Sequence, residues 1–381
     1  MSFLRWMWAW LNKRAGWLCL GGLGLVALWN WRAWRRDRAL AERLRAEEPK
    51  PVGLRATPRV SVLVAAWNEA AFIQRLIEGF LALRYPNKEL VLCAGGEDGT
   101  YSAAEAYARD QVIVLQQHVG EGKQRALRRC LERATGGIIF LTDADCLLDD
   151  DAVERTLTPL IHEDEAVTTG TSMPLTSQLS NPFVLHQWFS QVGATARQGR
   201  YVDGILGRNA ALHRSALEAA GGFDADVRTG TDFYLAKQVL RQGYRIRHVP
   251  DSAVETPFPE TLEQHRRQHT RWLRNVVLHG LRFGSYSEVL RCFIPSILGI
   301  LMLTGPVAAL FLGPVAFTGW LLVFLHVLVS RVRYVRFGES VTGCPFPKKG
   351  YFHLPLYMLA DFATWAGTLF QYVSKRQRWQ W

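Results

Sequence analysis

Between Val60 and Asp145, apolar and polar positions alternate in blocks. The run VSVLVAAW from Val60 is continuous and rich in β-branched residues, the pattern of a strand buried on both faces. Residues 69–84 put Phe72, Leu76, Ile77 and Phe80 on one helical face and end at Tyr85-Pro86. ELVLCA (89–94) and QVIVLQ (111–116) predict two further strands. A polar helix is expected near 100–110, and another near 121–135 before the apolar run GIIFLTDAD (137–145). Strand–helix alternation at this spacing predicts an α/β nucleotide-binding layout, a parallel sheet with right-handed crossovers. Ligands of such sheets bind at the carboxyl ends of the strands, where Asn68, Glu69, Gly95 to Thr100 and Asp143 to Asp145 fall.

The flanks follow another pattern. Residues 16–31 carry no charge, yet fall short of the roughly 20 residues of a comfortable membrane span and leave no room for tilt. Arg5, Lys13 and Arg14 before this run would suit a signal peptide, but no small-residue cleavage site follows it. Trp29, Trp31 and Trp34 follow instead, with Arg32, Arg35, Arg36 and Arg38. An aromatic belt with a positive flank predicts a retained anchor with residue 32 onward in the cytoplasm; a buried core helix is the alternative. Residues 292–313 and 314–330 are two uncharged runs broken at Gly313-Pro314, together long enough for a helical hairpin. Arg331, Arg333, Arg336, Lys348 and Lys349 then mark the cytoplasmic side again. The last apolar run, 351–373, holds Asp361, and an ionisable group at that depth is either functional or a sign that the segment does not fully span. A span, which would leave Lys375, Arg376 and Arg378 outside, and a re-entrant or interfacial segment both stay open.

Charge sharpens this division. The formal net charge is +11, with 45 basic against 34 acidic residues. Residues 1–58 hold 11 Lys/Arg and 4 Asp/Glu, residues 282–381 hold 10 and 3, and the remaining 59–281 hold 24 and 27. Two basic flanks around an acidic centre are not a nucleic-acid groove. A 49% hydrophobic content excludes a disordered chain, and six scattered cysteines, none in a CxxC pair, imply neither a zinc site nor a disulfide framework.

The sharpest chemical feature is Thr142-Asp143-Ala144-Asp145-Cys146. Two carboxylates at i and i+2 on a strand's exit can present oxygen to one hard divalent cation, which can hold a diphosphate. A solvated acidic turn is the competing reading, as Asp149 to Asp151 illustrate nearby. The second feature is Gln268-His269-Thr270-Arg271-Trp272, where Gln268, Arg271 and Trp272 share a helical face. A guanidinium suits a diphosphate and an indole offers a plate for a sugar, although a basic interfacial helix would look the same. His213, His248, His265 and His269 lack metal-ligand spacing and are expected to be surface or core histidines.

Together these features resemble the membrane-embedded family-2 glycosyltransferases with a GT-A fold, the group of polysaccharide synthases and, more distantly, ceramide glucosyltransferase. Other parts of the resemblance, which runs from Val60 to Trp272, are Ala66-Trp67-Asn68-Glu69, Gly120-Glu121-Gly122-Lys123 with Ala126-Leu127, and Gly221-Gly222-Phe223-Asp224. The resemblance implies that Asp145 ligates Mg²⁺ or Mn²⁺ and that Asp143 contacts both nucleotide and metal. Asn68, Glu69, Lys123 and Arg271 would serve the nucleotide sugar, Asp232 would be the catalytic base, and Gly207, Gln268 and Trp272 would meet the acceptor. For Asp232 a helix N-cap is the alternative, since FYLAKQVL follows it. Val202 to Asn209 resembles the family's acceptor strand or is an ordinary turn. The paired aspartates usual after the second strand are Cys93 and Ala94 here, leaving Asp98 as their stand-in, and the Glu before the base is Thr231.

The expectation is therefore an inverting, metal-dependent transferase in three parts: a membrane anchor with basic linker (1–58), a cytoplasmic GT-A domain (59–281), and an interfacial helix with transmembrane segments (282–381). Its partners would be a nucleotide-sugar donor, the bilayer and a membrane-associated acceptor, with no nucleic acid. A lipid acceptor is favoured over a growing polysaccharide, because three or four short segments make a thin channel wall unless the chain forms a homo-oligomer. A nucleotide-sugar-binding scaffold without activity is the rival suggested by Cys93 and Ala94.

Overall fold

The computed structural model describes residues 2–46 and 56–373, so the basic cluster Lys375, Arg376 and Arg378 lies outside the described residues. The chain opens with α1 (Ser2–Lys13) and α2 (Ala15–Ala46). Next come β1 (Val60–Trp67), α3 (Ala70–Ala82), β2 (Lys88–Gly95), α4 (Thr100–Glu105), β3 (Val112–Gln116), α5 (Gly122–Arg133) and β4 (Ile138–Leu141). They are followed by α6 (Asp150–His162), β5 (Val167–Pro174), α7 (Pro182–Thr195), β6 (Tyr201–Val202), β7 (Ala210–His213), α8 (Arg214–Ala219), α9 (Thr231–Arg241) and β8 (Ile246–Thr256). The chain closes with α10 (Leu262–Arg282), α11 (Tyr286–Leu312), α12 (Pro314–Thr342) and α13 (Gly350–Val373). Two compact units result, one of Pro49–Gln178 with Ala194–Phe258, the other of Met1–Glu48, Leu179–Gly193 and Pro259–Gln380.

The first of these units contains one sheet in the order β3-β2-β1-β4-β7-β5-β8-β6. Its β3-β2-β1-β4 half is parallel, as the strand–helix alternation predicts, while β7 runs antiparallel to both β4 and β5. In β1, Val62, Val64 and Ala66 join the core that holds Phe80 and Leu157, while Leu63 joins the one that holds Leu127 and Phe223. This period-2 alternation with both faces covered explains the unbroken apolar run. Since β1 lies between β2 and β4, the strand order reverses there, and the crevice beyond the ends of β1 and β4 is where α/β sheets bind ligands. The polar helix expected near 100–110 is shorter, ending at Glu105. Val202 to Asn209 is mostly turn, between the two-residue β6 and β7.

In the second unit, the uncharged run 16–31 is part of the longer helix α2. Asn30 Nδ2 lies 3.1 Å from His326 Nδ1, and Arg333 Nε lies 2.6 Å from Asp37 Oδ2. Both pairs have a sequence separation of 296, so α2 and α12 run parallel. Trp17 and Leu25 are 78% and 70% exposed, unlike the side chains of a buried core helix. At the turn between α11 and α12, Trp8 Nε1 donates to the Leu312 carbonyl and Asn12 Oδ1 accepts from Val315 N. Among the described residues, α11 and α12 are long and apolar enough to cross a membrane. Their outward apolar side chains, Leu310 and Phe311 among them, speak for lipid rather than a protein core.

Candidate active site

The site is built where β1 and β4 end. Asn68 leaves β1 in the left-handed region (φ 58°), its backbone N–H donating to the Gly95 carbonyl and its Oδ1 accepting from Glu97 N at 2.9 Å. This ties the exit of β1 to that of β2. Asp98 strengthens the tie: Oδ2 accepts from Ala70 N (2.9 Å), while Oδ1 accepts from Thr100 N and Oγ1. One carboxylate thus serves the N-termini of α3 and α4, where negative charge is favoured. These hydrogen bonds, from the Thr100 hydroxyl first, hold its pKa below the ordinary carboxylate value.

Beyond β4, Thr142 is buried and its hydroxyl donates to the Arg208 carbonyl at 3.0 Å. Asp143 forms an ion pair with Lys123, in the first turn of α5, and its Oδ2 lies 3.9 Å from Arg208 Nε. Desolvation works against the Lys123 charge, but Asp143 and then Asp232 outweigh it and raise the pKa. Arg208 is only 15% exposed, and Nη1 donates to Thr256 Oγ1 at 3.1 Å. Burial opposes its charge too, and Asp143, Cys146, Asp145 and Asp232 together outweigh it.

The acidic side of the site is under electrostatic load. Burial, and then the charge of Asp143, raises the Asp145 pKa. Glu69 is pushed up to about 7 by burial, then by Asp145, Asp143 and Asp98. Carboxylates that raise one another's pKa are a setting in which a divalent cation is favoured. Among the described residues, no three His, Cys, Asp or Glu side chains converge as a self-sufficient metal cage. That suits Mg²⁺ or Mn²⁺ held by one or two carboxylates with substrate phosphates completing the shell, so the residues fit the ion that the motif implies.

Asp232 lies close enough to Lys123 and Arg208 for its charge to raise the pKa of both. The N-cap of α9 is Gly230 in the left-handed region (φ 71°), so Asp232 sits in the first turn and is not the cap. Its Oδ1 accepts from Phe233 N at 2.8 Å. Gly207 packs against it: a Cβ built on Gly207 would lie 2.9 Å from Asp232 Cβ. One unit thus brings together Glu69, Lys123, Asp143, Asp145, Gly207 and Asp232, and adds Arg208. The sequence holds Arg208 inside a segment noticed for its glycines, and only the fold turns it toward Asp143. Gln268, Arg271 and Trp272 lie on α10 of the other unit, Arg271 and Trp272 exposed and Gln268 half-buried.

The family model "Glycosyltransferase like family 2" matches residues 58–275, more than half of the sequence, and the chain belongs to that family. It is 28% identical over 237 residues to a probable glycosyltransferase, YdaM, of Bacillus subtilis (strain 168), covering 58% of this chain and 56% of that one. It is 26% identical over 223 residues to the poly-beta-1,6-N-acetyl-D-glucosamine synthase of Staphylococcus aureus (strain COL), covering 56% and 53%. The chain thus spans about half the length of the curated relatives it matches. Among solved structures, it is similar to the mannosyltransferase PcManGT of Pyrobaculum calidifontis, solved in complex with GDP-Man and Mn²⁺. The TM-score is 0.53 at 20% identity, covering 96% of this chain and 100% of that one. The fold is GT-A, accompanied by two apolar helices of membrane-spanning length.

Proposed function

We propose that this glycosyltransferase is an inverting, metal-assisted enzyme that moves a sugar from a nucleotide diphosphate to a lipid acceptor at the cytoplasmic face of a membrane. The observation that carries the reading is that Lys123 and Arg208 sit within the charge field of both Asp143 and Asp232, Arg208 also within that of Asp145. Asp145 and Asp143 would hold Mg²⁺ or Mn²⁺, which supplies a Lewis acid for the diphosphate oxygens. Lys123 and Arg208 balance the acidic cluster and the incoming phosphates. Arg271, on the evolutionary resemblance of its motif, adds bidentate charge to the diphosphate, with Gln268 and Trp272 serving the acceptor. Asn68 and Glu69 border the nucleotide sugar, while Asp98 braces the wall of that pocket. The acceptor hydroxyl attacks the anomeric carbon as its proton passes to the Asp232 carboxylate. The bond to the diphosphate breaks with its electron pair on the departing nucleotide, and one displacement inverts the anomeric centre.

The lipid acceptor is favoured because α11 and α12 are the spans of sufficient length and apolarity among the described residues, and a docking groove needs fewer of them than a polymer channel. The synthase names among the relatives favour a growing β-linked glycan as the second reading. Membranes containing the protein are given labelled nucleotide sugars. Label in organic-extractable product is expected; label in ethanol-insoluble polymer would replace the lipid with the glycan.

A further inference from the structure

Asp361 is the carboxylate that interrupts the last apolar run, and it is buried at 7% side-chain exposure. A buried carboxylate is costly unless it is paired and hydrogen-bonded. Arg331 Nη2 of α12 lies 2.7 Å from Oδ2, His265 Nε2 of α10 lies 3.0 Å from Oδ1, and His186 Nε2 of α7 lies 3.7 Å from Oδ2. One group on α13 therefore joins three other helices of its unit.

The other nitrogen of His265 is held as well. Nδ1 lies 3.0 Å from Gln187 Oε1. The orientation of that amide is fixed, because Gln187 Nε2 donates to the carbonyls of Phe183 (3.1 Å) and Pro259 (2.8 Å), leaving Oε1, an acceptor, toward the ring. The two imidazole nitrogens of His265 thus face the Gln187 amide oxygen and the Asp361 carboxyl group. Its neighbour His269, with ring centroids 4.2 Å apart, is held down to about 4, first by burial and then by the His265 charge. The His269 ring in turn lies 5.3 Å from that of Trp272. A chain of contacts thus runs from Asp361 through His265 and His269 to the tryptophan of the Gln268–Trp272 segment.

We propose that Asp361 is a positioning residue for that segment, fixing the rotation of α10 against α12 and α13 through a cationic His265. An apolar side chain of similar volume would fill the same space with no desolvation cost, whereas a carboxylate that accepts from both His265 and Arg331 selects one arrangement of these helices. The consequence for catalysis rests on the transferase reading above; the state of His265 does not.

The test uses the full chain in lipid nanodiscs. Ring ¹⁵N spectra at pH 7, assigned with His265→Gln, should show both His265 nitrogens protonated; one unprotonated nitrogen overturns the proposal. Asp361→Asn combined with Arg331→Gln removes the carboxylate and its guanidinium together, and His265 can then shed its extra proton. With the donor that the wild type uses, this double variant should lose ~10–100-fold in kcat with donor KM unchanged, the scale of a misplaced catalytic part. Asp361→Glu should recover most of that loss. Wild-type kcat in a folded double variant overturns the positioning role. A wild type that transfers no sugar from any donor defeats the transferase reading, while the ring spectra still decide for or against cationic His265.

Discussion

Gly207 lies against Asp232, so that a Cβ at the glycine would sit 2.9 Å from the Cβ of the aspartate. This contact is with the root of a side chain in the first turn of α9 and cannot be relieved by a rotamer change. Gly207→Ala should therefore displace the carboxylate, costing about 1–3 kcal/mol in stability and ~10–100-fold in kcat, with donor binding retained. Asp232→Asn should keep the fold and the donor affinity yet lose about 10²–10⁴-fold in transfer. Calorimetric donor titration beside a product assay separates the two quantities. Full activity in Asp232→Asn would remove it from the role of base.

Asp143 and Asp145 make opposite demands with and without a cation. Asp145→Asn should weaken Mn²⁺ binding, read by electron paramagnetic resonance, by ~10–100-fold, the range that even supporting groups around a metal command. In a chelator the same variant should melt no lower than wild type, because it removes a charge that burial and then the neighbouring Asp143 disfavour, and one of the charges acting on buried Glu69. Loss of melting temperature in the chelator would instead make Asp145 a structural group.

Glu69 gives this burial and crowding of charge a pH signature. A carboxyl lifted from 4.5 to about 7 in the folded state binds its proton there more tightly than in the unfolded chain. Stability should therefore fall as pH rises through that window and level off above it. In a chelator, Glu69→Gln should raise the melting temperature at pH 8 and leave it unchanged near pH 4. Equal effects at both pH values would contradict the electrostatic origin.

Glu89 has the opposite sign. Burial raises its pKa, but hydrogen bonds from Ser61, Arg59 and Thr135 outweigh that and bring it to about 2. This carboxylate joins β1 and β2 to the turn before β4, with Thr135 N at 2.6 Å and Arg59 Nη2 at 2.8 Å. A depressed carboxylate contributes stability that is complete above 4.5 and vanishes as pH falls toward 2. Glu89→Gln should cost about 1–3 kcal/mol at pH 7, and its melting curve should approach that of the wild type between pH 4.5 and 2.

The first half of the sheet was legible because strands buried on both faces must read as unbroken apolar runs, and β1 to β4 fall within a few residues of where those runs lie. The second half was not. In β5, VTTGTSMP has no hydrophobic period, because its buried positions serve a polar network. Thr168 Oγ1 donates to the Thr156 carbonyl, and Asn209 Nδ2 donates to the Thr171 carbonyl and Ser252 Oγ. Asp143 and Asp145 announced themselves through their spacing, but Arg208 and the partners of Asp361 are separated from what they touch by 65 and up to 175 residues. A lone arginine or aspartate carries no sign of its partner until the chain has folded.

Asp143, Asp145 and Asp232 are proposed to perform glycosyl transfer from a nucleotide sugar. The most direct test is a panel of nucleotide sugars with product mass spectrometry, run on the wild type with and without chelator and on Asp232→Asn. One donor, or a narrow set, should yield a glycosylated product with inverted anomeric configuration, with no product in chelator or in the variant. A retained configuration, or the same product from Asp232→Asn at the wild-type rate, would contradict this assignment.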